Sequence, residues 1–171
     1  MILHTHYLSI IDRVNSSEIE VGLVTINRNM PKIIESNIFE KKQLIAVIAK
    51  DHDYWSQSAN NRIRYLNNIP VLSAPAGNEH HNILNSIMHK FQITSTELSG
   101  FSTLEVIRKL VENGFGWALI TKDMMSDKLK EIPTIKDSIY VSNACIYSKK
   151  NQLSRPAIAF IEMCKKYGSL D

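Results

Sequence analysis

The stretch STLEVIRKLVENGFGWALIT, residues 102–121, decides the class of fold. Ser102 and Glu105 have the Ser-x-x-Glu spacing of a capping box, in which two side chains satisfy the free amides at the start of a helix. Apolar residues then recur every three or four positions, as in an amphipathic helix: Leu104, Ile107, Leu110 and Val111. Gly114 follows them as a helix stop, and the apolar run 117–120 is typical of a buried strand. Helix, glycine turn and strand in this order predict an α/β fold with an open sheet.

The composition is that of a soluble globular protein of one domain or two small lobes. The 171 residues are 44% hydrophobic and 22% charged, with a net charge of +3. No run of five like charges suggests a nucleic-acid stripe or a polybasic membrane anchor. The N-terminus lacks the features of a signal peptide, and no stretch approaches the roughly 20 apolar residues that span a bilayer. We therefore expect a cytoplasmic protein with no membrane partner, whose Cys145 and Cys164 are free thiols.

The rest of the chain alternates strands and helices around this stretch. Strands are predicted at 2–5, 19–25, 43–50, 70–73, 94–98, 129–135 and 139–148. Helices are predicted at 8–14, 63–68 and 79–91, with one or two turns within 122–128. Residues 27–37 are expected to be irregular and 51–61 to form a loop. Ser154 and Pro156 predict the start of a last helix that ends near Tyr167 and buries Ile158, Phe160, Ile161 and Cys164.

No pattern in the sequence indicates a catalytic or metal centre. His4 and His6 alternate on the first predicted strand and could bind a metal with His80, His81 or His89, but no carboxylate or thiolate joins them in a recognised motif. We expect ordinary exposed or hydrogen-bonded histidines and no metal. The sequence has no nucleophile elbow, phosphate loop or dinucleotide fingerprint, so we predict neither an enzyme nor a cofactor.

Two predicted helix starts are candidates for binding an anion. The turn 73–77 precedes one helix, and its free amides would attract a carboxylate or phosphate; an ordinary strand-to-helix turn explains it equally well. Ser102 and Thr103 are open in the same way, as a cap alone or as a cap that also contacts a ligand. In open α/β sheets ligands settle beyond the carboxyl ends of strands, so Gly77, Asn78, Ser102 and Thr103 are expected to share one crevice.

Five segments in order resemble the effector-binding domain of LysR-type transcriptional regulators. They are SSEIEVGLV at 16–24, LIAVIAKDH at 44–52, IPVLSAPAG at 69–77, the opening stretch 102–121, and SRPAIAF at 154–160. The family usually has Asp where Glu20 stands, and Pro where Asp53 and Thr121 stand. The resemblance covers nearly the whole chain.

The resemblance implies a two-lobed fold like that of type 2 periplasmic binding proteins. One lobe would comprise 1–42 plus 141–171 and the inserted lobe 43–140. A small effector would bind between them, and the helix starts described above slightly favour an anionic one. By position, Tyr7 and Thr25 would be effector contacts of the first lobe, and Gly77, Asn78, Ser102 and Thr103 those of the second. The family further implies a homodimer or tetramer.

Two parts of the family pattern are missing from this sequence. The N-terminal winged helix-turn-helix is absent, so DNA would be bound only through that missing part. The first strand and helix of the first lobe are also absent, which predicts a lobe truncated at its N-terminus. The alternatives are a free-standing solute-binding module without a DNA role and, with less support, an enzyme on the same fold.

Overall fold

The structure, a computed structural model, describes residues 7–26, 30–135 and 139–168. The strand predicted at 2–5 lies outside these ranges. The chain divides into two compact units, one of Met1–Lys42 with Tyr140–Asp171 and the other of Gln43–Ile139. The boundaries predicted from the sequence stood at 42/43 and 140/141.

The described elements alternate along the chain in the way an α/β fold requires. The helices are α1 Tyr7–Asn15, α2 Arg62–Tyr65, α3 Glu79–Lys90, α4 Leu104–Glu112 and α5 Arg155–Tyr167. The strands are β1 Val21–Ile26, β2 Ile34–Ala49, β3 Val71–Leu72, β4 Glu97–Leu98, β5 Trp117–Thr121, β6 Leu129–Glu131 and β7 Ile139–Ser148. Short 3₁₀ turns occupy Asp53–Ser56, Leu66–Asn68 and Lys122–Met124.

The first unit is a small sheet with a helix on each face. Strand β7 lies between β1 and β2 and pairs antiparallel with β1, so that Val24 stands opposite Ala144. These two residues pack with Val14 of α1 in one apolar cluster. The next residue, Cys145, points to the opposite face because side chains alternate along a strand. There its thiol contacts that of Cys164 on α5, which places α5 on that face.

Helix α5 of this unit begins as its sequence predicts. The Ser154 hydroxyl accepts from the amide of Ala157, and Pro156 sits in the first turn, where a missing N–H costs nothing. Glu20 adds a contact from the loop before β1. Its two carboxylate oxygens accept from the Ser154 amide at 2.8 Å and from the Ser154 hydroxyl at 2.9 Å. A negative charge at a helix N-terminus is favourable, so Glu20 stabilises this start.

The second unit is built on a mixed sheet. The C-terminal part of β2 pairs antiparallel with β5 and with the short β6, while β5, β3 and β4 are parallel neighbours in that order. All five residues of β5 are buried, as expected of a strand covered on both faces. Ile107 and Val111 of α4 pack with Ala118 and Ile120 in one apolar cluster of this unit.

The end of helix α4 and the turn after it follow the prediction from residues 102–121. Gly114 has φ +78°, which glycine adopts at little cost. Its amide donates to the carbonyl of Val111, and the amide of Phe115 donates to that of Leu110. These two bonds form a Schellman motif, which satisfies the last carbonyls of the helix before β5 starts.

Some predictions about elements were wrong. The strands predicted at 94–98 and 129–135 are confined to Glu97–Leu98 and Leu129–Glu131. Strand β2 begins at Ile34, although 27–37 was expected to be irregular; its first half carries half-buried polar residues and lacks the apolar signal of 44–49. In α5, Ile158 is 45% exposed, while Ala157 and Ile161 are buried. Ile158 is one residue past Ala157, which turns it about 100° away from the buried face.

Candidate functional site

The carboxyl ends of β3 and β4 lie side by side at one edge of the second unit. Val71 pairs with Glu97 and Leu72 with Leu98 in a parallel register, and the Ser73 amide donates to the Leu98 carbonyl at 3.0 Å. Beyond this point the two strands lead into α3 and α4. Parallel strands end at the same edge, and each of these two strands is followed along the chain by a helix, α3 after β3 and α4 after β4.

Gly77 and Asn78 lead into the first turn of α3. Gly77 has φ +86° and no heavy atom within 4 Å of the position that a Cβ would take. Asn78 is the N-cap, whose side-chain oxygen accepts from the His80 amide at 2.9 Å. Both residues are exposed, so a small molecule at this edge can reach their backbone.

The start of α4 differs from the predicted capping box. Thr103, rather than Ser102, is the N-cap, and its hydroxyl accepts from the Val106 amide at 3.3 Å. Glu105 therefore sits in the first turn, where it pairs with Arg108 instead of reaching back to a cap amide. Ser102 precedes the cap and is exposed. The cap function predicted for the Ser102–Thr103 pair thus belongs to Thr103.

His80 lies just inside α3 and is 7% exposed. Its Nε2 is 2.7 Å from the Leu119 carbonyl of β5, and since a carbonyl only accepts, Nε2 carries the proton. Burial lowers the pKa of His80 against the opposing effect of this hydrogen bond. His80 is thereby held neutral and ties the start of α3 to the middle of the sheet.

The other histidines do not gather into a metal centre in the described ranges. His81 Nε2 lies 3.0 Å from a carboxylate oxygen of Glu97, and His89 is exposed. Within residues 7–26, 30–135 and 139–168, no group of three potential ligands converges. His4 and His6 lie outside the described residues.

The first unit contributes the two remaining predicted contacts. Tyr7 begins α1, and its side chain lies outside what the structure describes. Thr25 is half-buried on β1, and its hydroxyl is 2.8 Å from Oδ1 of Asn143 on β7. The Asn143 amide nitrogen is in turn 2.7 Å from Oε2 of Glu40 on β2. Sequence reasoning missed Asn143 and Glu40, because only the strand pairing brings them next to Thr25.

The chain shares its fold with solved regulatory domains. The CcmR regulatory domain from Synechocystis PCC6803, in complex with 2-PG, matches with TM-score 0.73 at 15% identity over 97% of this chain and 81% of that chain. The effector-binding domain of QuiR in complex with shikimate gives TM-score 0.72 at 15% identity over 96% and 78%. HinK, a LysR family transcriptional regulator from Pseudomonas aeruginosa, gives 0.69 at 17% over 96% and 58%, so the chain spans less than two thirds of HinK.

These likenesses establish a mixed α/β fold of the type 2 periplasmic-binding-protein kind, as the sequence predicted. The sequence matches the model of the LysR substrate binding domain over residues 2–169, and the chain therefore belongs to that family. The family consists of regulatory domains that are not enzymes, in agreement with the prediction. No curated protein sequence matches the chain. None of the helices in the described ranges has the length and apolar character needed to cross a membrane.

Proposed function

We propose that this chain senses a small anionic effector for a transcription regulator, through Tyr7, Thr25, Gly77, Asn78, Ser102 and Thr103. The observation that carries the proposal is the shared edge at which α3 and α4 begin. Free amides and the helix dipole make a helix N-terminus attractive to a carboxylate or phosphate. Two such starts follow adjacent parallel strands here, and the residues that lead into both helices are exposed.

The relatives support a small effector without identifying it. Structures of CcmR with 2-PG and of QuiR with shikimate each contain a small molecule. We extend this to the present chain as a proposal, together with a cytoplasmic location, self-association as a homodimer or tetramer, and DNA binding through a separate part of a longer protein. Family membership supports these points, since the family's regulators act on transcription.

A thermal-shift panel tests the preference for anions. We expect carboxylates, phosphates or sulfate to raise the melting temperature, while neutral sugars leave it unchanged. A ligand at 100 times its dissociation constant adds about 2.7 kcal/mol to the free energy of unfolding, which is easily measured. Stabilisation by neutral compounds alone would contradict the anionic preference.

Alanine variants at and before the start of α4 test whether the anion binds there. Ser102→Ala should weaken binding of the best anion several-fold with little change in stability, because Thr103 supplies the cap. Ser99→Ala, an exposed serine of the same loop, is the matched control and should bind as the parent does. Thr103→Ala should lose binding and also about 1 kcal/mol of stability with the cap. Unchanged affinity in both Ser102→Ala and Thr103→Ala would place the effector elsewhere.

A further inference from the structure

Two thiols meet inside the first unit, and neither belongs to the proposed effector contacts. Cys145 lies on β7 between Ala144 and Ile146, which both pack toward α1 in the cluster that contains Val14. Because side chains alternate along a strand, Cys145 points to the face of the sheet opposite α1. Its side chain is fully buried there.

Helix α5 carries the second thiol on its buried side. Ala157 and Ile161 are buried, and Cys164 follows Ile161 by three positions, which places all three on one face of the helix. The end of the helix is fixed as well. The Gly168 amide donates to the Cys164 carbonyl at 2.9 Å, and the Phe39 backbone of β2 lies so close to Gly168 that no Cβ would fit. The turn that carries Cys164 is therefore held against the sheet on both sides.

The two thiols are in contact between β7 and α5, and they differ in exposure. Cys145 is buried, whereas Cys164 is only partly buried. Burial raises the pKa of Cys145 to about 12, so this thiol stays protonated at neutral pH and reacts poorly with a reagent in solution. Cys164 is thus the thiol that a small reagent meets first, and Cys145 is in contact with it.

We propose that this pair is an oxidation site, at which hydrogen peroxide links Cys145 and Cys164 in a disulfide between β7 and α5. The bond ties α5 to the strand that lies between β1 and β2. It needs no second chain and no movement between the two units, because both cysteines belong to the first unit. The inference stands without the proposed function, since none of the six predicted effector contacts takes part.

The chemistry balances with hydrogen peroxide as the only other reactant. The Cys164 thiolate attacks one peroxide oxygen, so that an S–O bond forms, the O–O bond breaks, and hydroxide leaves and takes up the thiol proton. The sulfur, oxidised by two electrons, is now a sulfenic acid. The Cys145 sulfur then attacks the Cys164 sulfur, an S–S bond forms, the S–O bond breaks, and the Cys145 proton leaves with the hydroxide as water. One disulfide and two molecules of water result.

Mass spectrometry of the full chain tests the site. Treatment with a slight excess of hydrogen peroxide should remove two hydrogen atoms per chain and leave no thiol to alkylate after denaturation, and a thiol reductant should restore both thiols. Peptide mapping should place the link between Cys145 and Cys164 of one chain. Two free thiols after this treatment, an irreversibly oxidised Cys164, or a link between two chains would each overturn the proposal.

Single variants separate the two thiols. Cys145→Ala leaves Cys164 without its partner, so the reaction should stop at a sulfenic acid, which dimedone traps. Cys164→Ala leaves only the buried thiol, which should react with peroxide at least about tenfold more slowly than Cys164 does. Met163→Leu, at an exposed neighbouring position, is the control for methionine oxidation and should form the disulfide as the parent does. Equal peroxide rates in the two cysteine variants would refute Cys164 as the thiol that reacts first.

A measurement on the parent protein shows whether the fold favours the bond. Glutathione buffers of graded composition give the equilibrium constant between dithiol and disulfide, in the native protein and in urea. A disulfide that suits the fold also stabilises it, and for a loop of about 20 residues this corresponds to a roughly hundredfold larger constant in the native protein. An equal or smaller constant in the native protein would mean that the two sulfurs cannot bond without strain, and it would overturn the proposal.

Discussion

The buried side chain of His80 fixes the first turn of α3 against the sheet. Its burial and its bond to the Leu119 carbonyl connect the start of α3 to β5, next to the exposed Asn78 cap. Gly77 and Asn78 are exposed, whereas His80, two residues after the cap, is buried against the sheet. The neutral imidazole also keeps a buried positive charge away from the sheet, which would be costly there.

This arrangement makes stability depend on pH. The pKa of His80 is lowered in the folded state, so near and below about pH 6.5 the unfolded chain takes up a proton that the native state does not. The contribution of neutral His80 to the free energy of unfolding is fully present above that pH. It falls as the pH drops toward the folded pKa, by at most about 1.4 kcal/mol per pH unit. His80→Gln, whose amide can still donate to Leu119, should remove this part of the loss between pH 7.5 and 5.5 in urea unfolding.

The control for this experiment is His89→Gln, at an exposed position of the same helix. It should lose stability over the same pH range as the parent protein does. A pH dependence that is identical in the parent, His80→Gln and His89→Gln would show that His80 does not control it.

At the scale of elements, the junction between α4 and β5 requires two glycines for different reasons. Gly114 needs a left-handed backbone and has open space around it. Gly116 instead lies against β3, where a Cβ would come 2.3 Å from the Pro70 carbonyl oxygen. That same oxygen accepts from the Trp117 amide at 3.0 Å, so the close approach is part of the sheet.

Alanine substitutions at Gly114 and Gly116 should lower the free energy of unfolding by different amounts. Gly114→Ala should cost about 1 kcal/mol, the strain of a left-handed non-glycine residue. Gly116→Ala should cost at least about 2 kcal/mol more, because the strand β5 must move away from Pro70. Chemical denaturation of both variants measures the difference. Equal losses would mean that the sheet relaxes around the new methyl group at no cost.

Features that depend on neighbouring residues could be predicted from the sequence, and features that depend on distant residues could not. The stop at Gly114 and the start at Ser154 were predicted because each depends on residues within one helical turn. The choice between Ser102 and Thr103 as the cap was missed, since both hydroxyls suit the position and only the backbone decides. The partner of Thr25 was beyond reach, because Asn143 is 118 residues away and pairing brings the two together. The six effector contacts themselves stay predictions.

For the whole molecule, the order of the chain sets the order in which the two units can unfold. The second unit is one continuous segment, whereas the first is assembled from two segments that the second unit separates. While the second unit is folded, it holds those segments at a fixed separation. Once it unfolds, the first unit must close a flexible loop of roughly 100 residues, at a cost of about 4–5 kcal/mol.

We therefore predict that the first unit unfolds before or with the second, and never after it. Both tryptophans, Trp55 and Trp117, lie in the second unit, so their fluorescence follows that unit alone. Cys145 lies in the first unit, where burial raises the pKa of its thiol to about 12 and protects it from alkylation. Alkylation of Cys145 should begin at a urea concentration equal to or lower than that of the fluorescence change. Fluorescence loss with Cys145 still protected would contradict the prediction.

The two points at which the chain passes between the units have a consequence for how such chains can diversify. The second unit leaves the first at the end of Lys42 and returns at Tyr140, on β2 and β7, which are neighbouring strands. Neighbouring strands lie about 5 Å apart, so the insertion begins and ends at almost the same point. A segment joined in this way can be exchanged as a cassette, since any replacement whose ends lie equally close leaves the host sheet undisturbed. Recombination at these two points would thus replace the second unit while the strand pairing of the first unit, including Thr25 with Asn143, is kept.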